Sequence, residues 1–293
     1  MKTIILAAVS AAALTGLAAA APASAAPAAS ADVEIRDAVA RVIVIVEDRQ
    51  DVGVEITQGS SGLPALRLNR NGGDVRIDGG LGRNAIRDCS SGPSAARQPG
   101  QGASVEVRRV GRVQLEEAPM IVLRTPRDVE VSVGGAVFGA VGRGARSIDL
   151  GNGGCGDWSV ANTDGDMALS LGGSGTIRAG TSRALEANVG GSGSISAGAT
   201  RALEAAVGGS GGITVARVDG PAEVAIGGSG NVRVRGGAVT SMDASIAGSG
   251  NVRHDGSARD LDVSIAGSGN VQVGSAEHVS RSTIGSGSVI VGR

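Results

Sequence analysis

Apolar and polar residues alternate along much of the chain, on both sides of a recurring glycine turn. In Leu185, Glu186, Ala187, Asn188 and Val189 every second residue is apolar, and Leu261, Asp262, Val263, Ser264 and Ile265 repeat the order. A shorter alternating segment follows the turn, as in Val232, Arg233 and Val234. A period of two on either side of a turn predicts short strands with one face buried and the other in solvent.

The turn itself is Gly-Ser-Gly, beginning at Gly173, Gly191, Gly209, Gly228, Gly248, Gly267 and Gly285, with spacings of 18, 18, 19, 20, 19 and 18 residues. A flexible linker would not hold that register, whereas 18 to 20 residues suit one coil of a repeating β-structure. Two degenerate copies, 131–135 and 148–156, extend the count backwards to nine coils from about Arg127. The expected fold is therefore all-β: a parallel β-solenoid (β-helix) of about nine coils with 18–20-residue repeats, preceded by N-terminal β-strands. In such a turn Gly allows one coil's backbone to approach the next, and Ser is small enough to stack. Asn231, Asn251 and Asn270 follow the turn in three successive coils, which predicts a ladder of stacked amides.

Before the coils, 41–47 and 52–57 are rich in Val and Ile and read as two strands of a hairpin turning at 48–51. Segments 65–69 and 74–78 form a second such pair around Asn71-Gly72-Gly73. From 79 to 103 the periodicity fails, and this stretch reads as a long, flexible, exposed loop carrying Cys89. Alternation resumes at 105–107, 113–115 and 121–123.

The first residues have a different pattern: Met1-Lys2, an apolar run from Ile4 to Ala21, then Pro22-Ala23-Ser24-Ala25. This is the pattern of a secretory signal peptide, 1–25, followed by a short lead, 26–36, and a single domain, 37–293. The competing reading, an N-terminal membrane anchor, fits less well because the run is Ala-rich and ends in small residues. No later apolar stretch is long enough to span a bilayer as a helix. Export, to the periplasm or the cell surface, would place Cys89 and Cys155 in an oxidising compartment, where they either pair or remain separate buried thiols.

Charge narrows the partners. Lys2 is the only Lys, so the chain after the leader sets 26 Arg against 28 acids, which gives no support for nucleic-acid binding. Phe138 and Trp158 are the only aromatic residues, so stacking platforms for sugars or bases are missing. Trp158 falls at an inward position, that of Ile177 in the next coil, and is expected in the core.

One surface feature is regular enough to be a candidate site. Five residues before the turn the coils place Glu130, Asp149, Glu186, Glu204, Glu223, Asp243 and Asp262, interrupted by Ala168. Like charges one strand spacing apart repel by about 1 kcal/mol even in water. Arg127, Arg146, Arg183, Arg201 and Arg259, eight residues before the turn, form a basic column that would partly compensate them. The column is then either a solvated, ion-paired face or a linear site for cations or a basic polymer.

Catalytic and metal-binding motifs are sparse. The place where a calcium-binding nonapeptide roll carries Asp holds Ile177, Ile195, Ile213 or Val232 here, so hard oxygen ligands are missing at the turns. His254 and His278, the only histidines, fall at different positions of different coils, which disfavours a shared metal site or a Ser-His-Asp triad. No cofactor and no enzymatic activity are expected.

With these residues laid out, the chain resembles the head GIN domain family, also described as auto-transporter adhesins. The likeness rests on Gly-Ser-Gly-Asn-Val at 228–232, 248–252 and 267–271, on the strand pair at 42–57, and on the strands around Thr125-Pro126 that lead into the coils. It implies an extracytoplasmic β-solenoid with an adhesive or surface role, and transfers no catalytic residues. The expected function is a non-enzymatic scaffold binding a surface polymer or protein through Glu186, Glu204, Glu223, Asp243 and Asp262. The alternatives are a carbohydrate-active β-helix enzyme using those acids, and a self-associating envelope protein joined through its solenoid ends.

Overall fold

The computed structural model describes residues 32–82, 84–93 and 98–292. The signal-peptide and lead segments up to residue 31 lie outside the described residues. Nearly all ordered structure is strand, and a single 3₁₀ turn, Leu115–Glu117, is the one helical element among the described residues.

The repeats form the parallel β-solenoid that their spacing predicts, in nine coils. Each coil has a first wall before the Gly-Ser-Gly corner and a second wall after it. Successive first walls pair in parallel register, Ile148 on Met167, Leu185 on Leu203, Ala222 on Met242, and Leu261 on Val279. Second walls do the same, Ile195 on Ile213 and Val232 on Val252. The inward residues are almost solvent-free: Leu185, Ala187, Val189 and Ile195 in one coil, and Leu203, Ala205, Val207 and Ile213 in the next. Each larger aliphatic side chain so buried contributes about 1.5–3 kcal/mol, which offsets the chain entropy of so many glycines.

At the corners, glycine is required by contact rather than by rotation alone. A Cβ on Gly211 would sit 2.3 Å from the Gly193 carbonyl oxygen and 2.6 Å from Val189, because the coils stack at strand spacing with no room between them. The amide ladder forms on the outer side of the corner: Asn251 donates to Asn231 at 2.9 Å, Asn270 to Asn251 at 3.0 Å, and the Ser288 hydroxyl to Asn270 at 2.6 Å.

The first layers are built differently. Strand β1 (Asp32–Val46) is not half of a hairpin: it is a whole coil, pairing in parallel with both walls of a later strand. β2 (Gly53–Thr57) therefore does not pair with β1. β3 (Arg67–Asn71) and β4 (Asp74–Asp78) do form the expected antiparallel pair, with Gly72 at φ +62° in the turn. β5 (Ile86–Ser90), β6 (Ser104–Val107) and β7 (Gly111–Gln114) make a small antiparallel sheet of their own. β8 (Met120–Thr125) and β9 (Asp128–Val141) complete the start of the solenoid.

β4 and β8 both lie parallel to β1, on the side away from β9, β4 along its first wall and β8 along its second. Together they are one further coil, cut at the corner, with the β5–β7 lobe inserted between its halves. β3 on β4 and β2 on β8 then close that end with antiparallel strands, which is one way a protein covers a sheet edge open to unwanted pairing.

Segment 79–103 is thus not one long exposed loop. Leu81 and Ala103 are buried, β5 is a strand, and the lobe shares an apolar cluster with the outer face of the first coils: Val105, Val107, Val113 and Leu115 against Val39, Ala136 and Phe138. The sequence hid this because the cluster draws on positions scattered among Gly, Ser and Pro, with no local period. Cys89 in β5 and Cys155 in a coil corner are joined as a disulfide, with their Cα atoms 6.3 Å apart. Trp158 lies in the core at 1% exposure, its indole N–H donating to the Val137 carbonyl at 2.9 Å, over the space left by Gly139.

Candidate acidic face

The first wall begins each coil with an outward residue, then an inward one, then the acid. Because the register between coils is exact, the acids stack: Asp149 beside Glu130, Glu204 beside Glu186, Glu223 beside Glu204, Asp243 beside Glu223 and Asp262 beside Asp243. Ala168 stands between Asp149 and Glu186. The row continues past the point where the repeat is visible, since Asp32 of β1 pairs with Glu130. Asp32 was hidden in what reads as a lead segment, although Asp32-Val33-Glu34-Ile35 has the same alternation as Glu130-Val131-Ser132-Val133.

A groove of about 790 Å³ runs along this row. Its lining combines small side chains, Ala168, Ala184 and Ala202, with the acids from Glu130 to Asp243. Small residues beside the longer carboxylates are what make an otherwise flat sheet concave.

The arginines eight residues before the turn do not neutralise this row. Arg146 binds Asp128 through its Nε at 2.9 Å and again through Nη2, Arg183 binds Asp166, and Arg259 binds Asp260 at 3.0 Å. Arg127 is 3.8 Å from Asp48. The reason is geometric: Arg146 and Arg183 precede their own first-wall strand and reach back to the first outward acid of the preceding coil, two residues short of the column. Among the described residues no ion pair is made by Asp32, Glu130, Asp149, Glu186, Glu204, Glu223, Asp243 or Asp262; the polar contact within the row is Asn188 donating to Glu186 at 2.9 Å.

Two acids of the row shift in the opposite direction to two acids outside it. Burial, and then the fields of Glu186 and Asp32, push the Asp149 carboxyl above the usual range. Burial and then Glu130, Asp74 and Glu34 do the same to Asp32, opposed by Arg76. By contrast, the hydrogen bond from Arg146, with help from the Ser147 hydroxyl, holds Asp128 below the usual range against a smaller opposing effect of burial. Arg233 and then Arg253 lower Asp255.

The histidines are not brought together. His254 is buried, with Nε2 3.1 Å from the Ser257 carbonyl, while exposed His278 sits 3.2 Å from Asp260. Both aromatic residues are buried, so the groove has no aromatic platform.

Residues 220–292 match the family model described as putative auto-transporter adhesin, head GIN domain, which bears out the resemblance over the coils where Gly-Ser-Gly-Asn-Val is strictest. No curated protein matches the chain. Among solved structures, a putative adhesin from Parabacteroides distasonis ATCC 8503 is 18% identical, with 88% of this chain and 92% of that one covered, at a TM-score of 0.46. A putative lipid binding protein from the same organism is 17% identical, with 90% and 94% covered, at 0.41.

Proposed function

We propose that the chain is an exported, non-enzymatic scaffold that binds a cationic surface polymer or a basic segment of a surface protein along its acidic face. The observation that carries this reading is that, among the described residues, no acid of the row from Asp32 to Asp262 makes an ion pair, while Asp128, Asp166 and Asp260 beside it hold arginines. A row of charges at strand spacing suits a partner that is itself extended and repetitive, because many weak contacts add up once the first is made. The signal-peptide pattern ending at Ala25 and the Cys89–Cys155 bond support export. The adhesin description of the family supports a binding role.

The test is titration of the full chain with labelled poly-lysine, beside a neutral Gly-Ser peptide. Binding is expected with the polycation alone, weakening with salt. In the triple variant Glu186→Gln, Glu204→Gln, Glu223→Gln it is expected to weaken by several-fold to about a hundredfold, each lost charge pair being worth a few tenths to 1 kcal/mol. Equal binding by the triple variant would remove the acidic face from the account, and turnover of a glycan abolished by Glu204→Gln would replace the scaffold with an enzyme.

A further inference from the structure

The β5–β7 lobe is held to the solenoid in two unlike ways. β6 and β7 are fixed by apolar burial, with Val105, Val107 and Val113 almost fully enclosed against Val39, Ala136 and Phe138. β5 is held less firmly. It is one of the two edge strands of its sheet, Arg87, Asp88 and Ser90 are exposed, Ile86 and Cys89 touch the same apolar cluster but stay half-buried, and its register on β6 slips between Ile86 and Asp88. Cys155, at the other end of the bond, sits on a firm support. Its N–H donates to the Gly135 carbonyl at 3.1 Å, and buried Asn152 braces the same corner by donating to the Gly156 carbonyl at 2.7 Å and accepting from the Gly154 N–H at 3.0 Å. Between strand and corner lies a cleft of about 330 Å³, lined by Leu81, Ala85, Ile86, Gly153, Cys155 and Ser174 among others.

We propose that β5 is a redox-latched strap: reduction of Cys89–Cys155 frees it from the coil corner and opens this cleft, while β6, β7 and the coils stay in place. The reductant is a dithiol. Its thiolate attacks one sulfur, the Cys89–Cys155 bond breaks and a mixed disulfide forms. The second thiol of the reductant then displaces the remaining cysteine. Two electrons and two protons pass to the protein, giving two cysteine thiols, and the dithiol leaves as its cyclic disulfide. Weak burial makes β5 the part of the lobe that such a change can release, because segments with few enclosed apolar contacts open at the least cost.

The experiment is hydrogen–deuterium exchange on the full chain before and after dithiothreitol, with thiol titration in parallel. The oxidised protein is expected to show no free thiol. On reduction the β5 amides and the Arg108 N–H, which donates to Ala85 at 2.8 Å, are expected to exchange about tenfold faster or more. Amides of β7 and of the coils from Ala184 to Val273 are expected to keep their rates, and reoxidation is expected to restore β5. Cys89→Ser with Cys155→Ser should reproduce the reduced pattern. Free thiols in the oxidised protein, unchanged β5 exchange, or a rise spread equally over β6, β7 and the coils would each overturn the strap.

Discussion

The coils from Ala184 onward and the layers up to Trp158 solve the same packing problem by different means. In the later coils every residue has its spatial neighbour one repeat away, so a small set of apolar side chains serves many times: Leu, Met, Val, Ile or Ala inward on the first wall, and mostly Ile or Val on the second, with His254 in line with Val234 and Val273. In the first layers the neighbours are far apart in sequence. Val33 pairs with Val75 and Val131, and Val42 with Ile121 and Gly139. A solenoid propagates by repetition, but it begins only where non-repeating segments close the exposed edge.

If that contrast is right, the largest single effect should come from a contact unique to the early layers. Trp158 fills the space that Gly139 leaves, and a Cβ there would meet the indole ring at 2.4 Å. Trp158→Ala is therefore expected to cost about 4 kcal/mol, near the upper part of the range for large-to-small core changes. The Val137 carbonyl also loses the indole donor. Ile177→Val, at the same inward position one coil later, should cost about 1 kcal/mol. Urea unfolding of both variants checks the pair, and similar losses would mean that the early layers are no more specialised than the rest.

A smaller effect sharpens the description of the later coils. Gly211→Ala would drive a Cβ to 2.3 Å from a backbone oxygen of the preceding coil, so the stack must part, at an expected cost of about 1–3 kcal/mol. Gly208→Ala, at the near end of the same corner, meets nothing within 4 Å and should be close to neutral. Equal melting temperatures for the two variants would show that the corner is chosen for flexibility rather than for close stacking.

The same contrast explains what could be read in advance. The coil length, the inward positions, the amide ladder and the acid column were all legible, because a repeat makes local sequence report on spatial neighbours. β1 was not legible as a coil, since its corner is made by Arg36-Asp37, with Asp37 at φ +49°, in place of the glycine turn. The lobe was not legible because its apolar cluster has no local period. The loss of counterions from the acid column was hidden for another reason. Arginines at a constant offset look like partners in a one-dimensional alignment, and only the step from one coil to the preceding one shows that Arg146 and Arg183 reach Asp128 and Asp166 instead.

That step also yields the smallest and most discriminating prediction, because it gives two acids of one wall opposite signs. Asp149 has its folded pKa raised by burial and by its acidic neighbours. A carboxyl of this kind favours folding when protonated, a contribution fully present below the unfolded pKa and lost as pH rises through the folded value. At neutral pH Asp149 is thus a cost, and Asp149→Asn should stabilise the protein by about 0.5 kcal/mol, a figure kept small because the carboxyl is only partly withdrawn from solvent. Asp128 has its folded pKa lowered by Arg146 and Ser147. Its contribution is present above the unfolded pKa and lost as pH falls through the folded value, so Asp128→Asn should destabilise at neutral pH by about 0.5–1 kcal/mol. Melting curves between pH 7 and pH 3 should show the two variants on opposite sides of the parent at the higher pH, each difference narrowing as the pH falls. Two shifts of the same sign at pH 7 would mean that the column is compensated after all, and the acidic face would lose the property that marks it as a binding surface.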